Sequence, residues 1–178
     1  GKSWKHLPDA PAGARCVFWA GKTAPTTWYG AFNKSGVFVS KDDGLTWKYM
    51  PPLGADFACV ISFFGMMQRK DGSYFGVFHR GADANGDGSP LEVLSSVSRD
   101  GGLTWEKPLK VAKDAKYDLC EPAVFYSPDQ AEICCLIREN TREACSLMMC
   151  SRDESKTWSK AEDAPWGLSG DRHQGVQL

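Results

Sequence analysis

The sequence predicts an all-β fold, namely part of a β-propeller built from four-stranded antiparallel blades. Three observations carry this prediction. A motif of the form Ser-x-Asp-x-Gly-x-Thr-Trp recurs along the 178 residues. Short β-rich runs, separated by turn sequences, fill the intervals between its copies. No stretch keeps the apolar periodicity of a helix over three turns. Repeats of this kind are typical of propellers, in which each repeat forms one blade.

The motif has three complete copies and one partial copy. These three copies span residues 40–47, 98–105 and 151–158, the last with Ser155 at the glycine position, and the run 1–4 has the ending of another. Their final tryptophans are 43, 58 and 53 residues apart, and a propeller blade takes about 40–50 residues plus loop insertions. Three to four blades are therefore expected, fewer than most closed rings contain. We expect residues 1–178 to be one part of a single propeller domain, completed by the rest of a longer polypeptide.

The chemistry of the motif assigns its aspartates to the fold. A tight hairpin needs a residue that tolerates positive φ, which we expect of Gly44, Gly102 and Ser155. The aspartate carboxylate can accept hydrogen bonds from backbone N–H groups of the turn, and the tryptophan covers the hairpin with apolar area. We therefore predict structural, non-catalytic roles for three motif aspartates, which are Asp42, Asp100 and Asp153.

Charge and apolar content exclude several classes of partner. The net charge is −1 and no basic block is present, so neither a nucleic acid nor an anionic membrane surface is an expected partner. The longest apolar run, residues 58–67, is too short to span a bilayer. Seven cysteines occur without a CxxC motif or zinc-type spacing. They are expected to be reduced and buried, with one or two disulfides as the alternative.

One segment imitates a metal site. Residues 83–88 match the first half of an EF-hand calcium loop, but Leu94 occupies the position where that loop requires Glu. We expect a polar hairpin loop there, and neither a metal nor a cofactor in the protein.

A second set of motifs carries the functional prediction. The run Cys120-Glu121-Pro122-Ala123-Val124 is followed by a Pro-Asp turn and then by a strand ending Leu136-Ile137-Arg138-Glu139-Asn140. The run Gly170-Asp171-Arg172-His173 follows the last aspartate motif. Together with that motif, these runs resemble the sialidase (neuraminidase) superfamily. They are most similar to a bacterial branch with Glu-Pro, Arg-Glu-Asn and Gly-Asp-Arg-His in this order.

The resemblance implies a six-bladed propeller with a sugar site at its centre. In that family the matching Glu assists a nucleophilic tyrosine, and the matching Arg binds the substrate carboxylate. These roles would fall to Glu121 and Arg138. Substrate-binding roles would fall to Asp171, Arg172 and His173. At the end of a strand, Arg80 is a further candidate, with His79 beside it. The resemblance also favours a secreted or periplasmic location.

The residue types suit an acidic sugar. Arginine binds carboxylates through a planar, bidentate fork. Sialidases are retaining glycosidases with a tyrosine nucleophile, and a neutral tyrosine avoids repulsion by the substrate's own charge. The sequence thus predicts a sialidase-like hydrolase that cleaves a terminal sialic acid from a glycan. The nucleophilic tyrosine, the acid/base aspartate and the remaining arginines are expected elsewhere in the polypeptide, so residues 1–178 alone should be inactive.

Alternatives remain at each position. Glu121 could instead be an ordinary loop carboxylate, and Arg138 could pair with Glu139 or Glu143 on the surface. Arg172 and His173 could simply pair with Asp171. For the whole protein, the alternatives are a non-catalytic propeller that binds glycans or proteins, and a hydrolase acting on a different sugar.

Overall fold

Antiparallel β-sheet is the main regular structure of the described residues. The computed structural model describes residues 11–20, 27–32, 35–57, 60–81, 90–141 and 145–165. These residues contain three four-stranded sheets, with one short 3-10 turn at Ala55–Phe57. Within the same ranges, no helix is long and apolar enough to cross a membrane. The partial motif at residues 1–4 lies outside the described ranges. The chain divides into two compact units, Gly1–Pro52 and Leu53–Leu178.

The first unit contains one sheet in which consecutive strands are hydrogen-bonded neighbours. Its strands are β1 (Ala14–Ala20), β2 (Thr27–Phe32), β3 (Gly36–Ser40) and β4 (Lys48–Met50). The ring of Trp47 meets that of Phe32 edge-to-face, with the centroids 5.4 Å apart. Gly30 permits this contact, because a Cβ there would lie 2.5 Å from the Phe32 ring. The motif tryptophan thus packs onto the sheet that precedes it.

The second unit contains two sheets, each again with its strands in chain order. The first is formed by β5 (Val60–Gln68), β6 (Tyr74–Arg80), β7 (Glu92–Ser98) and β8 (Leu109–Lys113). The second is formed by β9 (Leu119–Tyr126), β10 (Ile133–Glu139), β11 (Leu147–Ser151) and β12 (Glu162–Asp163).

The core of this unit lies between the two sheets. Alternate residues of a strand share one face, and β10 buries Ile133, Cys135 and Ile137 in this way. They pack with Phe75 and Val77 of β6 in one cluster. Both sheets therefore hide one apolar face against the other, as neighbouring blades do, and β9 of the second sheet contacts β5 and β6 of the first.

The predicted fold class is confirmed: the structure is all-β and its four-stranded antiparallel sheets form part of a β-propeller. Nine of the twelve strands found in the described ranges coincide with β-rich runs of the sequence, at residues 16–19, 27–32, 36–40, 58–67, 74–79, 91–98, 123–126, 133–138 and 146–151. These runs missed β4, β8 and β12, the last strand of each sheet in chain order. These three edge strands are short and largely exposed. They therefore lack the apolar alternation by which a strand is recognised.

The turns of the aspartate motif have one shared geometry. In each, the carboxylate accepts the backbone N–H and the hydroxyl of the threonine four residues later, at 2.9 and 2.6 Å. The motif serine accepts the N–H of the residue at the glycine position, at 2.8–2.9 Å. The positive φ expected of that residue is present, at 84° in Gly44, 89° in Gly102 and 68° in Ser155.

These hydrogen bonds stabilise the ionised carboxylates. The threonine hydroxyl is the largest cause in each turn, and it lowers the pKa of Asp42 and lowers those of Asp100 and Asp153 to about 2. A carboxylate that is this fully engaged with its own turn suits a structural role. The structural assignment of the three aspartates stays a prediction that this geometry supports.

Candidate functional site

Strand β9 contains an irregularity at the predicted catalytic glutamate. Leu136 of β10 pairs with Ala123, but Arg138 pairs with Cys120, so two residues of β9 oppose the single residue Ile137. This is a β-bulge. Glu121 has φ of 44°, in the left-handed region that glycine usually occupies in such a bulge.

A left-handed backbone at a residue other than glycine costs about 1–3 kcal/mol and concentrates at functional sites. In the bulge this cost falls on Glu121. The next residue, Pro122, is fully buried and brings no N–H to the interrupted ladder. The bulge therefore changes the direction of the Glu121 side chain without leaving an unpaired backbone donor at residue 122.

The re-aimed carboxylate meets the predicted substrate-binding arginine. Nη1 of Arg138 lies 2.8 Å from Oε2 of Glu121, and their side chains are 15% and 13% exposed. Of the partners weighed from the sequence, Glu139 instead accepts the backbone N–H of Thr141 at 2.7 Å, and Glu143 is outside the described ranges. Glu121 and Arg138, 17 residues apart in sequence, thus form one largely buried ion pair.

A histidine of the neighbouring sheet supports the bulge. The backbone N–H of Glu121 donates to Nδ1 of His79 at 3.2 Å, and His79 is 4% exposed. Burial is the main cause that lowers the pKa of His79; nearby Glu121 raises it and Arg138 lowers it. An accepting Nδ1 requires the neutral ring with its proton on Nε2. His79 therefore acts on the site as a neutral acceptor.

Arg80 takes a different direction. Successive side chains of a strand point to opposite faces, so Arg80 leaves β6 on the face opposite His79. Its Nε lies 3.4 Å from Oε1 of Glu92, its cross-strand partner, in an ion pair without hydrogen-bond geometry. This geometry favours a structural pairing over the predicted substrate contact. Asp171, Arg172 and His173 lie outside the described ranges.

A tyrosine–glutamate pair lies at the other end of β9. The hydroxyl of Tyr126 donates to Oε2 of Glu154 at 2.9 Å, and desolvation is the main cause that raises the pKa of Tyr126. Five residues separate Tyr126 from Glu121, or about 17 Å along a strand. Tyr126 is therefore paired with Glu154 and lies far along the strand from Glu121 and Arg138.

Cavity volume does not identify the site. A cavity of about 670 Å³ lies between β8 and β12 and is lined by residues such as Val111, Tyr117 and Ala161. None of His79, Glu121 and Arg138 lines it. The polar cluster is recognised by its bulge, its burial and its ion pair instead.

Comparison with protein families gives one match over nearly the whole chain. The model of the BNR repeat-like domain matches residues 7–171. The chain belongs to the BNR repeat-like domain family. This confirms the resemblance to BNR-repeat β-propellers of the sialidase superfamily. A comparison with curated proteins finds no significant match.

Solved structures share the fold of this BNR repeat-like chain. A protein of unknown function from Dyadobacter fermentans is 20% identical, with a TM-score of 0.60 over 94% of this chain and 46% of that one. An α-L-arabinanase from Cellvibrio cellulosa is 15% identical, with a TM-score of 0.52 over 82% of this chain and 50% of that one. The chain thus spans about half the length of these structures. At such identities the likeness shows the fold alone.

Of the three residues in this polar cluster, the sequence predicted roles for Glu121 and Arg138, but not their direct contact. His79, beside Arg80, was expected as a polar strand-end residue that could reach the pocket, without a specific role. Alternation along β6 was the available signal, because His79 shares its face with Phe75 and Val77 of the core. The bulge itself has no sequence signature, since its left-handed position holds a glutamate instead of a glycine.

Proposed function

We propose that the full protein is a sialidase-like glycoside hydrolase that removes a terminal acidic sugar from glycans with retention of configuration. The observation that carries this proposal is the Glu121–Arg138 ion pair, 2.8 Å long and largely buried, formed at a strained bulge of β9. Strain held in place by surrounding structure is a feature of functional sites. Family membership and the glycoside hydrolases among solved propellers support the same class.

Arg138 and Glu121 can have complementary roles in such a site. A guanidinium has five N–H donors, so one arginine can bind a protein carboxylate and a substrate carboxylate together. Glu121 would polarise a nucleophilic tyrosine supplied elsewhere in the polypeptide, and Arg138 would orient the acidic sugar. Arg172 and His173 would add substrate contacts, with Asp171 beside them. No metal or cofactor has a role in this proposal.

The test uses the complete protein and a fluorogenic α-sialoside, beside a fluorogenic glucuronide and an α-L-arabinoside. Glu121→Gln is expected to lower kcat by about 10²–10⁴-fold, the range of a lost general base. Arg138→Met is expected mainly to raise KM for acidic substrates. Glu106→Gln and Arg99→Met, which change an exposed ion pair, are the matched controls and should leave both constants unchanged.

Each outcome has one meaning. Turnover of the sialoside that falls in both site variants supports the proposal. Turnover of the arabinoside alone would replace the acidic sugar by a neutral one. Binding of sialosides without turnover of any substrate would replace the hydrolase by a glycan-binding propeller.

A further inference from the structure

Two cysteine thiols face each other within one sheet. Cys134 of β10 pairs directly with Cys150 of β11, and their Sγ atoms are 3.4 Å apart. Both are free thiols in the structure. Cys135 points into the core, so its neighbour Cys134 points to the other face of the sheet, together with Cys150. This pair is separate from the Glu121–Arg138 site.

The backbone hydrogen bonds of Cys150 show whether Cys134 and Cys150 form a hydrogen-bonded or a non-hydrogen-bonded cross-strand pair. The N–H of Cys150 donates to Oγ of Ser159 at 3.0 Å, and its carbonyl accepts the N–H of Ser159 at 2.8 Å. In an antiparallel ladder, both backbone groups of a residue point toward the same neighbour. Those of Cys150 point to Ser159 and away from β10, so Cys134 and Cys150 form a non-hydrogen-bonded pair.

This kind of pair suits a disulfide. Cα atoms in a non-hydrogen-bonded pair are about 4.5 Å apart, closer than in the hydrogen-bonded kind. A disulfide requires a Cα separation of about 4.4–6.8 Å. Rotation of the two side chains is then enough to close the remaining distance between the sulfur atoms, without moving either strand.

The two thiols differ in access. Cys134 is 7% exposed, and burial is the main cause that raises its pKa to about 12. Cys150 is partly exposed and borders a cavity of about 560 Å³ that Ser159 and Trp158 also line. A small disulfide reagent in solution would therefore reach Cys150 first, because attack needs an accessible thiol.

We propose that Cys134 and Cys150 form a reversible cross-strand disulfide by exchange with a small-molecule disulfide such as oxidised glutathione. The Cys150 thiolate attacks one glutathione sulfur, and the first glutathione leaves as a thiolate. The Cys134 thiolate then attacks the Cys150 sulfur and displaces the second glutathione. The two protons lost by the cysteines go to the departing thiolates. The protein loses two electrons, and oxidised glutathione gains them.

Binding of a metal ion is the alternative role for these two sulfur atoms. The carboxylate of Glu132 and both thiols lie within 4.8 Å of one another, and two thiolates with one carboxylate are ligands that Zn²⁺ accepts. However, Glu132 is 3.1 Å from Nε of Arg152 in an ion pair, so a metal must displace that partner. A disulfide needs no such displacement, and the geometry therefore favours it.

The test treats the intact protein with oxidised glutathione, blocks remaining thiols by alkylation and maps peptides under non-reducing conditions. The expected product is one linked peptide joining Cys134 to Cys150, lighter by two hydrogen atoms and cleaved by a reductant. The link should be absent in Cys150→Ser and in Cys134→Ala, and should persist in the matched control Cys145→Ser. Oxidation should also raise Tm in the wild type and in the control, but not in Cys150→Ser.

Other products would overturn the proposal. A link through Cys135 or Cys145, or a stable glutathione adduct on Cys150, would show that the pair does not close. One zinc ion per chain that protects both thiols, and that is lost in Glu132→Gln, would assign the pair to a metal site. The wild-type peptide map decides between these products even if a cysteine variant fails to fold.

Discussion

Nδ1 of His79 accepts the backbone N–H of Glu121 at 3.2 Å, and this bond joins β6 of one sheet to the bulge in β9 of the next. The left-handed Glu121 is thus held by a residue of the neighbouring blade as well as by its own ion pair with Arg138. The position of the proposed catalytic carboxylate therefore depends on how the two sheets pack.

Replacement of His79 should reveal this dependence. His79→Leu removes the acceptor and leaves the Glu121 N–H in the sheet interface without its partner, which should cost about 1–3 kcal/mol of unfolding free energy. His79→Asn places an amide oxygen near the position of Nδ1 and should lose less. Urea denaturation of the three proteins measures the difference. Equal losses in both variants would contradict a role for the hydrogen bond.

The same histidine should make stability depend on pH. Its pKa is lowered in the folded protein from an ordinary value of 6.5, mainly by burial. The unfolded chain then binds the proton more readily, so the contribution is complete above the unfolded pKa. It should be lost as pH falls below 6.5 toward the lower folded pKa. Tm measured from pH 8 to pH 5 should show this decline, and His79→Asn should remove that part of it.

Close packing of β5 against β9 gives a separate prediction. A Cβ on Gly65 would lie 2.9 Å from the backbone N of Val124 and 3.0 Å from the carbonyl oxygen of Pro122. Backbone cannot rotate away as a side chain does, so Gly65→Ala should push β9 outward. We expect a loss of about 1–3 kcal/mol, the range for overpacked cores, and lower turnover through displacement of Glu121.

The matched control for this change is Gly72→Ala. This substitution also replaces a glycine of the second unit, but no atom lies within 4 Å of the new Cβ. The φ of 83° at residue 72 adds only local strain. It should lower Tm without changing turnover per folded molecule. If Gly65→Ala also leaves turnover unchanged, β9 does not position the site in the way described.

Acid should weaken the motif turns through their carboxylates. The pKa of Asp100 is about 2 in the folded protein, against an ordinary value of 3.8, chiefly because of the Thr104 hydroxyl. A lowered pKa means that the stabilisation is present above pH 3.8 and is lost between 3.8 and about 2. Asp100→Asn should lower Tm at pH 6 and flatten its acid dependence. An unchanged Tm at pH 6 would contradict the structural role.

The repeated motif made the fold predictable, because it marks each blade by local turn chemistry. A serine, an aspartate and a positive-φ position within a few residues determine the turn, and these are visible in sequence. The contact of Glu121 with Arg138 could not be predicted in the same way, because it requires a register shift in β9 that no residue type indicates. His79 and the pair of Cys134 with Cys150 depend on which strands meet, which is tertiary information.

Glu121 and Arg138 should be energetically coupled. Both side chains are largely shielded from solvent, so removing one charge takes from the other its ion-pair partner in a site where water replaces it poorly. Glu121→Gln and Arg138→Met should each cost about 3–5 kcal/mol of stability, as for broken buried pairs. The double variant should cost far less than their sum, because it removes both charges together.

The exposed pair of Arg99 and Glu106 provides the reference cycle. Its side chains are 61% and 53% exposed at a distance of 2.9 Å, so its coupling should stay below about 1 kcal/mol and should decline with added salt. The coupling of Glu121 with Arg138 should exceed this and resist salt, since water is largely excluded from it. Equal couplings in the two cycles would show that the bulge brings these residues together without energetic consequence, and would weaken their assignment to one site.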